Sequence, residues 1–410
     1  MQIKPILAAM RHHRAGTLLI ALQIALTLAI VCNALFIIQQ RMTRVSRPSG
    51  VDESNLFVVE NYWADQSSPQ RIDAQMRADL LALRQLGSVQ DVAPANSFPL
   101  HGSGWDNFVK TTPDQIRSTL DSAIYFADDH TLATLGVRLI AGRNFTSSEV
   151  GSQTPPDPML ASEVIISKAL AKVTFPQGSA LGQTIYVSGG NRPSTVIGVT
   201  DTLQAHTVAS WMNNYAYNAV LLPARLLTDR TFYLVRARPG QLDAAMRDAP
   251  KTLYAQSRMR IINRKDGVLS FAQVRKAAYG RDLGMAILMG IVSMVLLAIT
   301  AAGIVGLTSF WVGQRRKQIG IRRALGATRH DILSYFLTEN LLIGISGVVI
   351  GAVLALGINL WMVTQFEMAR LSLAYVAIGV VALLLLGQGA VLAPAMRASN
   401  VPPVEATRSV

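Results

Sequence analysis

Four stretches of this chain carry no charged side chain for longer than the roughly 20 residues a helix needs to cross a bilayer: Ala15 to Gln40, Leu283 to Gln314, Asn340 to Phe366 and Leu371 to Met396. Lipid offers backbone N–H and C=O groups no partner, so each run must close its hydrogen bonds within itself, as a helix. The composition agrees: 50% of the 410 residues are hydrophobic and only 15% are charged, a balance typical of membrane chains. Lys4, Arg11 and Arg14 precede the first run, as they would a cleaved signal sequence. Apolar signal cores are only about 7 to 15 residues long and end in a small-residue cleavage site. Leu18 to Ile38 is longer and runs into Gln39, Gln40 and Arg41, so the segment is expected to stay as a first span.

Lys and Arg in short loops mark the cytoplasmic side of a membrane chain. Lys4, Arg11 and Arg14 precede the first span, and Arg315, Arg316, Lys317, Arg322, Arg323 and Arg329 lie between the second and third. Arg397 and Arg408 follow the fourth, whereas the third connection holds only Arg370, beside Glu367. Both termini and the basic loop are therefore expected in the cytoplasm, with Arg41 to Asp282 outside. The expected spans are 15–40, 281–313, 332–364 and 371–396. A basic amphipathic segment, 1–14, precedes them along the inner surface, and a tail, 397–410, follows. Cys32, the one cysteine, lies inside the first span, so the chain forms no internal disulfide and no thiol–metal site.

The 240 residues at 41–280 are enough for one or two folded units. NLFVVEN (55–61) is β-branched and aromatic. The helix that follows repeats Ile72, Met76, Leu80 and Leu83 on one face, and SVQDVAPANSFPL is extended again. The same order recurs downstream: TFYLVRARPG as strand, QLDAAMRDAPKTLYAQS as helix, MRIINRKD as strand. Two βαβ-like units thus flank a different middle, roughly Lys110 to Pro223, which contains EVIISKALAKVTFP and STVIGVTD. The simplest assembly is one split α/β lobe with a second lobe inserted. A helix over Val268 to Arg281 leads into the second span, either as a stalk or as a surface helix.

Several stretches resemble one family. VGQRRKQIGIRRALGATRHDIL (312–333) is similar to the signature that follows the second membrane helix of MacB-like and FtsX-like permease subunits of ABC transporters. The tail APAMRASNVPPVEATRS resembles the family's ending. LGVRLIAGRNFTSSE, EVIISKALAKVTFPQGSALGQTIYV and TVIGVTD resemble consecutive blocks of its periplasmic core domain. The resemblance implies an α-helical membrane protein of four transmembrane helices, with a large α/β periplasmic domain between helices 1 and 2. That domain would comprise a porter-like lobe and an inserted second lobe. It further implies an inner-membrane, dimeric permease that pairs with a second copy or a homologous permease and is driven by separate cytoplasmic ATPase subunits. Efflux, with a periplasmic membrane-fusion protein as a further partner, is the leading expectation. FtsX-like signalling to cell-wall hydrolases and lipoprotein extraction stand as alternatives. No catalysis, cofactor, metal or nucleic-acid partner is expected of the chain itself, ATP being bound by the partner. Where the family usually has an acid, this sequence has Gln318. It contains no G-x-x-x-x-G-K-[ST], and GSALGQT (178–184) lacks the spacing and the lysine of a phosphate-cradling loop.

The basic segment 314–331 is the expected coupling loop. On a helical wheel Arg315, Arg316, Arg322 and Arg323 share an arc of about 120°, opposite Ile321, Ala324, Leu325 and Thr328. An interfacial helix resting on lipid phosphates explains the charge. It does not explain Ile319 in the middle of the basic arc, nor Gly320 and Gly326, which cost about 1 kcal/mol each in a helix. The expectation is therefore that Ile319 docks into a groove on the ATPase, ringed by arginines pairing with acids. The coupling set is Arg315, Arg316, Lys317, Gln318, Ile319, Gly320, Arg322, Arg323, Leu325 and Gly326. Glu339 and Asn340, at the entrance of the third span, are expected to reach the interface. Gly347 with Gly351, and Gly303 with Gly306, offer small faces for helix packing, within one subunit or across a dimer. His12 and His13 diverge on a helix, and His101, His130 and His206 lack ligand spacing.

Overall fold

A computed structural model describes residues 14–64, 68–115, 120–155, 161–187, 192–366 and 370–400. The amphipathic start, the tail beyond residue 400, His12, His13 and Glu367 lie outside them. The chain divides into a membrane unit, Met1–Val45 with Asp282–Val410, and an extramembrane unit, Ser46–Arg281.

Four helices are long and apolar enough to cross a bilayer: α1 (Arg14–Val45), α6 (Phe271–Gln314), α8 (Arg329–Phe366) and α9 (Leu373–Ser399). A short helix, α7 (Arg316–Ala324), joins α6 to α8. The helices outrun the uncharged runs because charged side chains can pair beyond the hydrocarbon. On the last turns of α1, Arg41 and Arg44 both meet Asp282.

The apolar middle of α1 is largely buried, packed against α8 and α9. A Cβ on Gly347 would sit 2.8 Å from the carbonyl oxygen of Ala21, and one on Gly351 equally close to that of Ala25. Backbone contact of this kind needs glycine, so the Gly347/Gly351 face serves packing inside one subunit. Gly303 packs on Gln23 of α1, whereas Gly306 faces open space. Polar groups stitch the same helices: the hydroxyls of Thr27 and Thr300 lie 2.7 Å apart, Gln23 donates to Ile299 O, and Asn33 to Ala355 O. By contrast α6 leaves Leu288, Ile291, Met294, Val295 and Ile299 exposed.

In the extramembrane unit, β1 (Leu56–Trp63), α2 (Pro69–Arg84) and β2 (Val89–Ala95) form one βαβ unit. The chain returns in β11 (Arg230–Ala237), α5 (Leu242–Gln256), β12 (Arg260–Ile261) and β13 (Val268–Ser270). The strand order is β12-β1-β11-β2, with β13 also on β1 and every pairing antiparallel. Each unit is split by a strand of the other, so the two form one lobe. Ile72, Met76, Leu80 and Leu83 of α2 and Ala245, Ala249 and Leu253 of α5 cover the sheet over Phe57, Val59, Tyr233 and Val235. Beneath them Arg260 and Asp79, both fully buried, pair at 2.9 Å, and the Tyr233 hydroxyl donates to the same carboxylate at 2.6 Å. Residues 268–270 are strand rather than the expected helix, because they pair with Phe57–Val59.

The inserted lobe lies between β2 and β11. It comprises β3 (Trp105–Lys110), β4 (Leu120–Ala127), α3 (Thr131–Leu135), β5 (Leu139–Gly142), β6 (Gly151–Gln153), β7 (Glu163–Ser167), α4 (Lys168–Thr174), β8 (Thr184–Val187), β9 (Ser194–Thr200) and β10 (Ala219–Leu226). Six strands close a ring, β4-β3-β8-β9-β7-β10, because β10 also pairs in parallel with β4. Closure leaves those strands no free edge. Alternate residues such as Ile124, Phe126, Val164, Ile166, Val220 and Leu222 fill its interior.

Candidate functional site

The basic segment folds into a braced elbow. α6 ends at Gln314, and Arg315 (φ −96°, ψ 9°) turns the chain into α7. Gly326 ends α7 with φ +99°, a left-handed conformation that glycine adopts without strain. Around it Ala327 N bonds Arg322 O and Gly326 N bonds Arg323 O, the paired closure of a Schellman motif. The next helix starts at once. The Thr328 amide and hydroxyl donate to the Asp331 carboxylate, while Asp331 N donates back to the Thr328 hydroxyl, a capping box for α8.

Three arginines tie the elbow to its neighbours. Arg315 Nη1 donates to both carboxylate oxygens of Glu339, at 3.1 and 2.9 Å, and the two side chains are only 10% and 4% exposed. The Arg322 guanidinium sits 5.1 Å from the ring centre of Tyr335. Arg323 Nη1 donates to the Ser399 carbonyl, a cation on the last turn of α9 where free carbonyls collect. Tyr335 and Glu339 stand four residues apart on one face of α8, above Ile332 and Phe336, which are buried with Ile319 in the membrane-unit core. α7 is therefore fixed to α8 and α9 by a buried ion pair, a cation–π contact, a helix-end bond and an apolar peg.

This arrangement inverts the wheel reading at one position. Ile319 lies in the basic arc, but the middle of that arc faces the protein, with Arg316 exposed at its edge: Ile319 is 5% exposed and Gly320 is buried beside it. It is a peg into its own helices, so it is not free to dock on another protein. The apolar side chains turned outward are those of the opposite arc, Leu325 at 83% exposure and Ile321 at 45%. Arg316, Lys317, Gln318, Gly326 and Arg329 are exposed with them. Glu339 is likewise corrected: it reaches no interface, because Arg315 holds it inside, and Asn340 is buried next to it. The sequence carried a signal for this, an acid four residues after Tyr335 on the face that also holds Ile332, Phe336 and Ile343. Reading it required knowing which arc of α7 turns inward.

The outward face combines apolar Leu325 and Ile321 with cationic Arg316, Lys317 and Arg329. It suits an acidic, partly apolar groove. Among the described residues no group of three or more His, Cys, Asp or Glu is placed to hold a metal. In the extramembrane unit His206 and Asp106 do approach, at 3.6 Å. Burial lowers the His206 pKa to about 4, helped by His101, and burial raises the Asp106 pKa to about 6, helped by Asp121.

Residues 17–252 match the family model of the MacB-like periplasmic core domain, and residues 290–403 match that of the FtsX-like permease C-terminal domain. Over 97% of its length the chain is 25% identical to the probable syringafactin export ATP-binding/permease protein SyfD of Pseudomonas syringae pv. tomato, covering 57% of that protein. Over 66% of its length it is 27% identical to the macrolide export ATP-binding/permease protein MacB of Chromobacterium violaceum, covering 41% of that one. The chain thus spans about half the length of these relatives. Against an uncharacterized ABC transporter permease of Bacillus subtilis, YvrN, identity is 24% over 70% of this chain and 69% of the relative. The crystal structure of the periplasmic region of MacB from Actinobacillus actinomycetemcomitans aligns with 57% of this chain and 97% of its own, at 13% identity and a TM-score of 0.35.

Proposed function

The chain belongs to the MacB-like permease family, with a MacB-like periplasmic core domain and an FtsX-like permease C-terminal domain, and from that premise we propose that it is the membrane subunit that turns ATP hydrolysis into movement of the extramembrane unit, in the service of export. The 410 residues contain no phosphate-cradling loop, so in this reading ATP is bound outside them, by a cytoplasmic ATPase. A second permease stands beside the exposed face of α6, and a membrane-fusion protein continues the path outside. The export names of SyfD and MacB support the direction of transport. In this reading the protein lies in the inner membrane of a bacterium with α7 in the cytoplasm, the side that its arginines favour.

The observation that carries the proposal is the bracing of α7. A contact that transmits force must not yield, and this one is pinned to α8 through Arg315, Arg322 and Ile319 and to α9 through Arg323. Leu325 and Ile321 then enter the ATPase groove, with Arg316, Lys317 and Arg329 against its acidic rim. A push on α7 is carried directly into two spans.

Co-purification with the ATP-binding partner tests this. Leu325→Asp places a charge on an exposed site, so the permease folds normally, yet the complex and its permease-stimulated ATP hydrolysis are lost. An unaltered complex with full stimulation would overturn the proposal.

A further inference from the structure

The two lobes of the extramembrane unit are joined by two stretches of chain, 96–104 and 227–229. Lobes joined in this way ordinarily rock against one another, and a hinge needs a few loop residues free to absorb changed φ and ψ. Neither stretch offers them. Asn96, at the start of the first, is bonded to the inserted lobe, where the Phe126 amide donates to its Oδ1 at 2.9 Å. Phe98 and Leu100 are buried, Phe98 with its ring centre 5.4 Å from that of Phe232 in the split lobe, and Gly102 N donates to His206 O at 2.7 Å. In the second stretch Leu227 N donates to Gln153 O of the inserted lobe at 2.8 Å, and Asp229 O accepts from Trp63 N of the split lobe at 2.9 Å.

Polar ties also hold the lobes together away from these connections. Near the start of α2, Asp73 accepts from Arg225 Nε of β10 at 2.7 Å. At the other end of α2, about 16 Å along its axis, Arg84 reaches Asp128 at 3.5 Å, and Asp91 beside it lies 2.8 Å from His130 Nδ1. At the end of β11, Arg236 Nε donates to Thr134 O at 2.7 Å. Its Nη1 pairs with Asp52 at 3.0 Å, and the Asp52 amide donates to Leu135 O at 2.9 Å. The loop 201–206 of the inserted lobe is gripped from two sides. Gln204 N donates to Ser49 O at 2.9 Å and Gln204 Nε2 to the Tyr279 hydroxyl of α6 at 3.0 Å, and a Cβ on Gly50 would sit 1.9 Å from Thr202 O. Ser49, Gln204 and Tyr279 are all buried. The ties lie at both ends of α2, at the end of β11 and on the first turns of α6, so a rotation about any one of them stretches the others.

We propose that the extramembrane unit is a single lever, its two lobes locked together and moving as one body with no opening between them. This rests on the proposed function only for what drives the movement. A displacement of the first turns of α6 is passed to the split lobe through β13, which runs directly into α6, and to the inserted lobe through Gln204, without loss at a joint. Cargo is then not gripped in a cleft between the lobes. A gap between them, beside Met76, Phe126 and Arg225, holds about 170 Å³, against the roughly 300 to 1,000 Å³ of small-molecule sites.

The test is a double electron–electron resonance distance on the full chain in phosphatidylethanolamine/phosphatidylglycerol nanodiscs, diluted with unlabelled chain so that only distances within one chain are read. No ATPase is present, so the outcome is independent of the co-purification test. Cys32 is buried, so nitroxide labels attach selectively to Leu81→Cys on α2 and Val173→Cys on α4, two exposed sites on different lobes. The lever predicts one distance between 81 and 173, no broader than the rotamers of the two labels produce. A second chain that also carries Asp73→Leu, Arg225→Met, Arg84→Met and Asn96→Ala loses the ties at both ends of α2 and at the first connection, and its distribution broadens or splits in two. Two populations in the chain with its ties intact would overturn the proposal, and that chain carries the test even where the second one does not fold. Equal widths in the two chains would overturn it as well, because these ties would then not be what locks the lobes.

Discussion

Removing the Glu339 carboxylate tests the brace around α7 most sharply. The pair is enclosed, with 10% of the Arg315 side chain and 4% of Glu339 exposed, so little solvent screening softens its loss. Glu339→Ala strands a buried guanidinium, and removal of one partner of such a pair costs about 3 to 5 kcal/mol. Arg315→Ala strands the carboxylate and falls in the same range. Replacing both, as Arg315→Met with Glu339→Leu, removes the uncompensated charge, and exchanges of that kind are often close to neutral. Steric trapping or reversible SDS unfolding in bicelles gives the four free energies of the double-mutant cycle. The expected coupling is at least about 3 kcal/mol, since the pair acts as a unit. A Glu339→Ala cost under about 1 kcal/mol, the value of a surface pair, or simple additivity in the cycle, would refute the reasoning.

A side chain at Gly347 must displace the backbone of α1 at Ala21, so Gly347→Val costs about 1 to 3 kcal/mol by overpacking, whereas Gly306→Ala, facing open space, costs nothing in the same unfolding assay. Asp79→Asn leaves fully buried Arg260 without its counter-charge, and the extramembrane unit loses about 3 to 5 kcal/mol, read as a lowered denaturant midpoint. Asp106 and His206 make opposite contributions to the pH dependence. With a folded pKa raised by burial to about 6 from an ordinary value of 3.8, Asp106 keeps its proton in the folded state, so its contribution falls as pH rises from about 4 to 6. His206, at about 4 against 6.5, is protonated more readily when unfolded, so its contribution rises with pH across about 4 to 6.5. Asp106→Asn therefore unmasks a stability that climbs with pH in that window, and His206→Gln one that declines; identical profiles for the two variants would contradict the assignment.

What could be read from sequence follows the range of the interaction. The spans were legible because the absence of charge over more than 20 residues is a local fact with one physical solution. The split α/β lobe was legible because α2 and α5 show their apolar faces at helical spacing. The closed ring was not. It depends on β10 pairing in parallel with β4, from which it is separated by most of the lobe, and nothing in either strand names the other. Nor did sequence place Ile319. A wheel groups Ile319 with Arg315 and Arg323 correctly, but charge suggests that the arc faces water. Here Glu339, Tyr335 and the end of α9 turn most of that arc inward by supplying partners for Arg315, Arg322 and Arg323.

The most direct test of α7 as the coupling contact is site-specific photo-crosslinking from α7 in the complex with the ATP-binding partner. A photoreactive residue at Leu325 is predicted to capture the ATPase, with a yield that changes on adding nucleotide, while one at Ile319 captures nothing outside its own chain. Capture from Ile319 with Leu325 silent would contradict the account, because the face that is turned inward here would then be the one that meets the motor.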